Sequence, residues 1–304
     1  MTHVAFGDRL AAEFAAGRYL CAGIDPHGPL LAGWGVADDA AGAERMGRDV
    51  VAAAAGVAAC VKPQIAFFER FGSAGFAALE RVFADAREAG LLVVADVKRG
   101  DIGSSFAAYA DAWLSPGSPL EADAMTVVAY QGFDTLSGAL HHVEHSGKGL
   151  FVLAATSNPE AIEVQQARRA DGRTVAAAMV EDAAAWNAAH AGSGGAGGAA
   201  KIGPAGAVGP VGSVGVVLGA TLDLSAFEID TAERPAGPAL PVLAPGFGHQ
   251  GARLEDASSI FGGIGHALLA NESRSILTGG PTGLADRIRE RAEAAHFALG
   301  VKAA

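Results

Sequence analysis

The stretch Leu91–Asp101 reads LLVVADVKRGD and indicates how the chain folds. Its first five residues form a short apolar run, which is typical of a strand buried on both faces. Side chains alternate along a strand, so Asp96 and Lys98 are expected on the same face. Gly100 is expected to turn the chain, and Asp101 is expected near the start of a helix. The sequence therefore predicts a lysine with carboxylates on both sides at the end of a buried strand.

A second lysine strengthens the interpretation of this cluster as a chemical site. Lys62 follows the apolar run 58–61, so it is also expected at the end of a buried strand. At a separation of about 4 Å and an effective dielectric near 20, each lysine–carboxylate pair gains roughly 4 kcal/mol before desolvation. Such a network keeps the lysines protonated and the acids ionised. A purely structural ion network is the alternative, and the placement at strand ends favours chemistry.

Composition and charge limit the classes of function. The chain has 304 residues, of which 50% are hydrophobic, so it can bury a large core. Its net charge of -11 argues against a nucleic-acid or membrane-surface partner. The N-terminus shows no basic region followed by an apolar segment, which predicts a cytoplasmic protein. Cys21 and Cys60 lie in apolar runs, where buried thiols are expected rather than a disulfide or a metal site.

Apolar runs alternate with helical patterns along the chain. The predicted strands are 19–25, 57–64, 91–98, 122–128, 149–156, 214–221, 240–245 and 266–271. Helical patterns separate most of them, for example 74–89 and 174–189. Eight such repeats predict a (β/α)8 barrel that forms a single domain over residues 1–304, and a doubly wound open sheet is the alternative. The Gly-rich segment at about 192–213 is predicted to be a flexible connector.

Polar residues follow several of the predicted strands and would meet at one mouth of a barrel. Short motifs at these strand ends resemble the orotidine 5'-phosphate decarboxylase family, whose third strand carries Asp-x-Lys-x-x-Asp. The longer-chain bacterial subgroup is the most similar. Besides 96–101, the motifs are AGIDP at 22–26, VKPQ at 61–64, TSNP at 156–159, GAT at 219–221, PGFGHQG at 245–251 and SRSI at 273–276.

The resemblance implies conversion of orotidine 5'-phosphate (OMP) to UMP and carbon dioxide, without metal or cofactor. It implies that Lys98 donates a proton to C6 of the pyrimidine and that Asp96 lies beside the departing carboxylate. Lys62 would hold the aspartates and contact the ribose. Asp101 would reach into the site of a partner subunit in a homodimer. The implied substrate-binding residues are Asp25, Ser105, Ser157, Pro245, Gln250, Ser273 and Arg274, of which Asp25 and Ser105 would contact the ribose and Arg274 the phosphate.

Four alternatives remain open at this point. Related sugar-phosphate enzymes bind magnesium through an acidic residue on the second strand, where this chain has Lys62. A barrel that binds a nucleotide or sugar phosphate without catalysis would not need the charge network. The segment 246–251 fits the dinucleotide pattern G-x-G-x-x-G, but it does not open a βαβ unit, so a single phosphate is favoured. His141 and His145 fit a zinc-peptidase pattern, although a third ligand is not apparent and a solvated helix face is favoured.

Overall fold

The computed structural model describes residues 3–191, 209–232 and 237–300. Eight parallel strands pair in chain order and close into a barrel, because β1 also pairs with β8. The strands are β1 (Leu20–Ile24), β2 (Cys60–Pro63), β3 (Leu92–Arg99), β4 (Ala124–Val127), β5 (Gly149–Ala155), β6 (Val214–Leu218), β7 (Pro241–Pro245) and β8 (Ala267–Glu272). The predicted (β/α)8 barrel is confirmed, and the open-sheet alternative is wrong because an open sheet has no pairing between its first and last strands.

Helices surround the barrel. They are α1 (Phe6–Ala15), α2 (Gly28–Gly33), α3 (Ala40–Ala54), α4 (Ala66–Glu69), α5 (Gly72–Glu88), α6 (Gly103–Leu114), α7 (Ser137–Ser146), α8 (Ile162–Gln165), α9 (Val175–Ala189), α10 (Ala257–Phe261), α11 (Arg274–Leu277) and α12 (Leu284–Leu299). Between β6 and β7 the described residues hold a short 3-10 helix, Leu224–Phe227. Within the described part of the chain, no helix is both long and apolar enough to cross a membrane.

The outer helices cover the barrel with apolar faces. In α5 the buried residues include Leu79, Val82 and Phe83, which recur at the three- and four-residue spacing of one helical face. Burial of each such side chain contributes about 1.5–3 kcal/mol. Gly47 of α3 lets that helix approach α5 closely, since a Cβ at this position would lie 2.7 Å from Val82 Cγ2. Helices α3 and α5 therefore pack closely side by side on the outside of the barrel.

The boundaries of some elements differ slightly from the prediction. The helix predicted at 174–189 begins at Val175, because the Thr174 side chain accepts a hydrogen bond from Ala177 N and caps the helix. The strand predicted from 266 begins at Ala267, since His266 ends a 3-10 helix. Of the predicted connector at 192–213, residues 192–208 lie outside the described residues.

Candidate active site

The carboxyl ends of the strands surround a cavity of about 280 Å³. Every predicted site residue except Asp101 and Ser105 lines it. Those that line it are Asp25, Lys62, Asp96, Lys98, Ser157, Pro245, Gln250, Ser273 and Arg274. The cavity is also lined by the apolar side chains of Leu153, Val217 and Leu243. It therefore combines charged groups with an apolar surface, as ligand sites in barrels commonly do.

A continuous chain of three charges lies in this cavity. Lys62 Nζ is 2.7 Å from Asp96 Oδ2, and Lys98 Nζ is 2.6 Å from Asp96 Oδ1. Lys62 and Asp96 are almost fully buried, whereas 44% of the Lys98 side chain is exposed. Lys98 is therefore the most accessible of the three charged groups to a ligand in the cavity.

Mutual attraction keeps Lys62 and Asp96, the two buried members of this chain of charges, in their charged forms. Burial lowers the pKa of Lys62, but the carboxylates of Asp96 and Asp25 outweigh that effect and raise its pKa above the ordinary value. Burial raises the pKa of Asp96, but the two lysines outweigh it and hold its pKa below the usual range. Lys62 is therefore protonated and Asp96 ionised at neutral pH.

Two further donors to Asp96 were not predicted as site residues. Gln64 Nε2 donates to Asp96 Oδ2 at 2.9 Å, and Thr126 Oγ1 donates to Asp96 Oδ1 at 2.9 Å. Together with the lysines they satisfy both oxygens of a buried carboxylate, which would otherwise be costly to desolvate. Gln64 was visible in the motif at 61–64. Thr126 could have been found as the single hydroxyl in the buried strand β4.

The backbone at Lys98 is unusual. Lys98 has φ of 47°, in the left-handed region that costs a residue with a side chain roughly 1–2 kcal/mol. The pairing of β3 with β4 shifts between Ala95 and Arg99, so β3 carries a bulge at this point. Bulges redirect side chains, and they recur beside active sites. In this structure the bulge coincides with Lys98, which lines the cavity.

Two charged side chains that line the cavity have atoms without a hydrogen-bond partner among the described residues. Asp25 Oδ1 is buried and has no hydrogen-bond partner. An unsatisfied buried carboxylate oxygen is costly, and a ligand hydroxyl would satisfy it. The Arg274 guanidinium has no ion-pair or hydrogen-bond partner among the residues that the structure describes, unlike the other arginines there. A free guanidinium at the rim suits an anionic group such as phosphate.

The loop 246–251 follows β7 and contains a 3-10 helix, Gly248–Gln250. Gly246 and Gly248 have φ of 124° and 69°, which side chains rarely allow. The loop is not followed at once by the long helix that a dinucleotide fingerprint requires. Its place beside Arg274 in the cavity favours a single phosphate, as the sequence suggested.

Asp101 and Ser105 lie away from the cavity of their own chain. The Asp101 carboxylate accepts a hydrogen bond from its neighbour Ile102 N and, among the described residues, forms no ion pair with Lys62 or Lys98. Ser105 is exposed on α6. Gly100 lies in the connection between β3 and α6, where the turn is predicted, and its φ is not positive. A Cβ at this position would lie 2.2 Å from Val128 O, so glycine allows the backbone to approach β4 closely here.

The histidines of α7 do not assemble a metal centre. His141 and His145 share one face of the helix, as predicted, and their rings stack at 4.2 Å. His142 is buried and lies 2.9 Å from Asp111. Among residues 3–191, 209–232 and 237–300, no group of three or more potential ligands could hold a metal ion. The zinc-peptidase alternative therefore has no support from the described residues.

A closed barrel with a lysine–aspartate–lysine chain at its mouth defines a (β/α)8-barrel enzyme. The model of the orotidine 5'-phosphate decarboxylase / HUMPS family matches residues 18–280, and the chain belongs to this family. The orotidine 5'-phosphate decarboxylase of Streptomyces coelicolor is 46% identical over 300 residues, which cover 98% of each chain. That of Corynebacterium glutamicum strain R is 45% identical over 276 residues, or 91% of each chain.

Solved structures agree with this assignment. A crystal structure of a Streptomyces avermitilis protein assigned as an orotidine 5'-phosphate decarboxylase superposes with a TM-score of 0.85 at 46% identity, covering 98% of this chain and 97% of the other. The Leishmania donovani OMP decarboxylase superposes with a TM-score of 0.70 at 29% identity, covering 97% and 100%. The resemblance stated from short motifs is thereby confirmed at the level of the family.

Proposed function

We propose that this chain is a single-domain enzyme that decarboxylates OMP to UMP and carbon dioxide, in the cytoplasmic synthesis of pyrimidine nucleotides. The observation that carries the proposal is the Lys62–Asp96–Lys98 chain, which presents one exposed ammonium to the cavity. The relatives named above, at 45–46% identity over nearly the whole chain, carry the same activity in their names. The reaction proposed here requires neither metal nor cofactor.

Lys98 would perform the central step. When the bond between C6 and the carboxylate carbon breaks, carbon dioxide leaves and the bonding electron pair stays on C6. The Lys98 ammonium would stabilise that charge and then give its proton to C6, becoming a neutral amine. A fixed ammonium at the developing charge is among the strongest electrostatic aids to catalysis, and proton donation adds to it. Asp96 would lie beside the substrate carboxylate and hold the ammonium of Lys98 in place.

The remaining cavity residues would bind the substrate. Asp25 would accept a hydrogen bond from a ribose hydroxyl, which would satisfy its free oxygen. Ser157 would contact the pyrimidine edge, and Gln250 would join the base and the phosphate. Arg274 would pair with the phosphate, together with the backbone near Ser273 and Pro245. The phosphate is remote from C6, so its binding energy can be used to close and order the site.

The position of Lys62 argues against the alternative function, that of a magnesium-dependent sugar-phosphate enzyme. Its ammonium lies 2.7 Å from Asp96 and is held protonated by Asp96 and Asp25. A divalent cation bound to the same carboxylates would be repelled by this fixed positive charge.

The test of the proposal is direct. OMP is added to purified, EDTA-treated protein, and its conversion to UMP is followed by absorbance. We expect turnover that does not increase when magnesium is restored. A folded protein that leaves OMP unchanged, but acts on a sugar phosphate once magnesium is added, would overturn the proposal.

The Arg274→Ala variant is expected to raise the KM for OMP more than it lowers kcat. A hydrogen bond to a charged group contributes about 1.5–3 kcal/mol, so KM should rise roughly 10- to 100-fold. Steady-state kinetics measure the change. Arg289→Ala is the control, because Arg289 pairs with Asp286 on the exposed surface of α12. An unchanged KM in Arg274→Ala would place the phosphate elsewhere.

We also propose that two copies of the chain share their active sites, with Asp101 and Ser105 of each reaching the other's cavity. Both residues lie outside their own cavity, close to exposed apolar side chains on the same segment. Ile102 is 58% exposed and Tyr109 39% exposed. Exposed apolar groups beside unused polar site residues are suited to contact with a second copy.

Complementation tests this shared site. In a mixture of Lys98→Ala and Asp101→Asn chains, each mixed dimer would contain one site with both native residues. If chains exchange at random, activity should return to about a quarter of the wild-type value. Each variant alone should remain nearly inactive. Subunit exchange is confirmed separately with differently tagged chains. Subunit exchange without any recovery of activity would contradict the proposal that the active sites are shared.

A further inference from the structure

Thr126 connects the backbone and the side-chain partner of the proposed proton donor. Its Oγ1 accepts a hydrogen bond from Lys98 N at 2.9 Å and donates one to Asp96 Oδ1 at 2.9 Å. Lys98 Nζ donates to the same Asp96 oxygen at 2.6 Å. These three hydrogen bonds form a closed ring that we call the Thr126 ring. Thr126 itself is 1% exposed.

The bulge in β3 explains why a hydroxyl is needed there. Between Ala95 and Arg99 the regular pairing with β4 is interrupted, so Lys98 N has no backbone acceptor in that strand. Thr126 Oγ1 accepts in place of a backbone carbonyl. Since the Lys98 backbone also has a left-handed φ of 47°, the surrounding contacts must hold it in that conformation.

We propose that Thr126 is a positioning residue, which fixes the backbone of Lys98 and the carboxylate of Asp96 together and so holds the Lys98 ammonium at C6. This inference rests on the proposed decarboxylation for its effect on rate. Thr126 acts through Lys98 and Asp96 and need not contact the substrate itself. A displacement of about 1 Å of a reacting group can cost roughly 100-fold in rate, so the ring can matter without forming any bond to the ligand.

The variants Thr126→Val and Thr126→Ser test the ring. Valine keeps the shape and removes the hydroxyl, so kcat should fall roughly 100-fold, while KM and the Kd of UMP change by less than about threefold. Serine restores the hydroxyl and should recover most of kcat. The matched control is Thr174→Val. Thr174 is equally buried, accepts from Ala177 N and donates to Phe227 O, but it lies away from the cavity.

Two outcomes would overturn the inference. One is a loss of kcat in Thr126→Val no greater than in Thr174→Val, measured well below the melting temperature of both. The other comes from crystal structures of the wild type and Thr126→Val. We expect Lys98 Nζ to separate from Asp96 Oδ1 or the Lys98 φ to change; an unmoved Lys98 contradicts positioning. A wild-type protein that is inactive on OMP would refute the proposed function. The crystal structures would still test whether Thr126 positions Lys98, because they do not depend on turnover.

Discussion

The Lys98→Ala variant is expected to lose about 10⁴-fold or more in kcat and to keep its affinity for UMP within a few fold. The ammonium is assigned both the stabilisation of charge at C6 and the donation of the proton. Proton donation typically contributes about 10²–10⁴-fold, and one fixed electrostatic donor about 10²–10³-fold. Lys98 is the exposed end of the charge chain, so its removal leaves the buried Lys62–Asp96 pair intact. Absorbance kinetics and calorimetric binding of UMP measure the two effects.

Arg45→Ala is the control for loss of a positive charge. Arg45 lies on the exposed face of α3 and pairs with Asp49 one helical turn away. This control should retain wild-type kcat. If Lys98→Ala keeps more than about a tenth of wild-type turnover, Lys98 is not the proton donor, because a lost general acid costs at least about 10²-fold.

The Asp96→Asn variant is expected to lose both stability and activity. It removes the carboxylate that pairs directly with the buried Lys62 ammonium, and breaking a buried ion pair in this way costs about 3–5 kcal/mol. Urea unfolding measures the loss in free energy. Asp49→Asn is the matched control, since it breaks a solvent-exposed ion pair with Arg45 and should cost less than about 1 kcal/mol. Equal losses of unfolding free energy in Asp96→Asn and Asp49→Asn would contradict the expectation that the buried ion pair contributes more than the exposed one.

The stability difference between wild type and Asp96→Asn should depend on pH. The pKa of Asp96 is held below its usual range, so its stabilisation is present above the ordinary value of about 3.9 and is lost as pH falls below it. The pKa of Lys62 is raised, so its stabilisation is present below about 10.4 and is lost as pH rises further. Urea unfolding at several pH values should show that the difference in unfolding free energy between wild type and Asp96→Asn decreases below about pH 4.

A double variant separates stability from chemistry. Lys62→Met with Asp96→Leu replaces the buried pair by apolar groups, which often restores or increases stability. We expect the free energy of unfolding of this double variant to equal or exceed that of Asp96→Asn. We expect the double variant to remain inactive. Turnover in the double variant would show that the charge chain serves the fold alone.

The sequence by itself predicted the barrel and most of the cavity. Alternating apolar runs and helical patterns depend on neighbouring residues, so the eight strands could be placed to within a few residues. The spacing of Asp96 and Lys98 put both at one strand end, and the rules of parallel barrels brought Asp25 and Arg274 to the same mouth. The resemblance of ordered motifs then indicated the family.

Only the tertiary structure decided how these groups contact one another. The pairing of β3 with β2 on one side and with β4 on the other brings Lys62, Asp96 and Thr126 together, and contacts across strands leave no trace in local periodicity. The left-handed backbone of Lys98 depends on the bulge opposite β4. The position of Asp101 outside its own cavity follows from the path of the chain after β3. Local residue patterns determine which elements form, whereas the atoms that meet are determined by the packing of elements far apart in the chain.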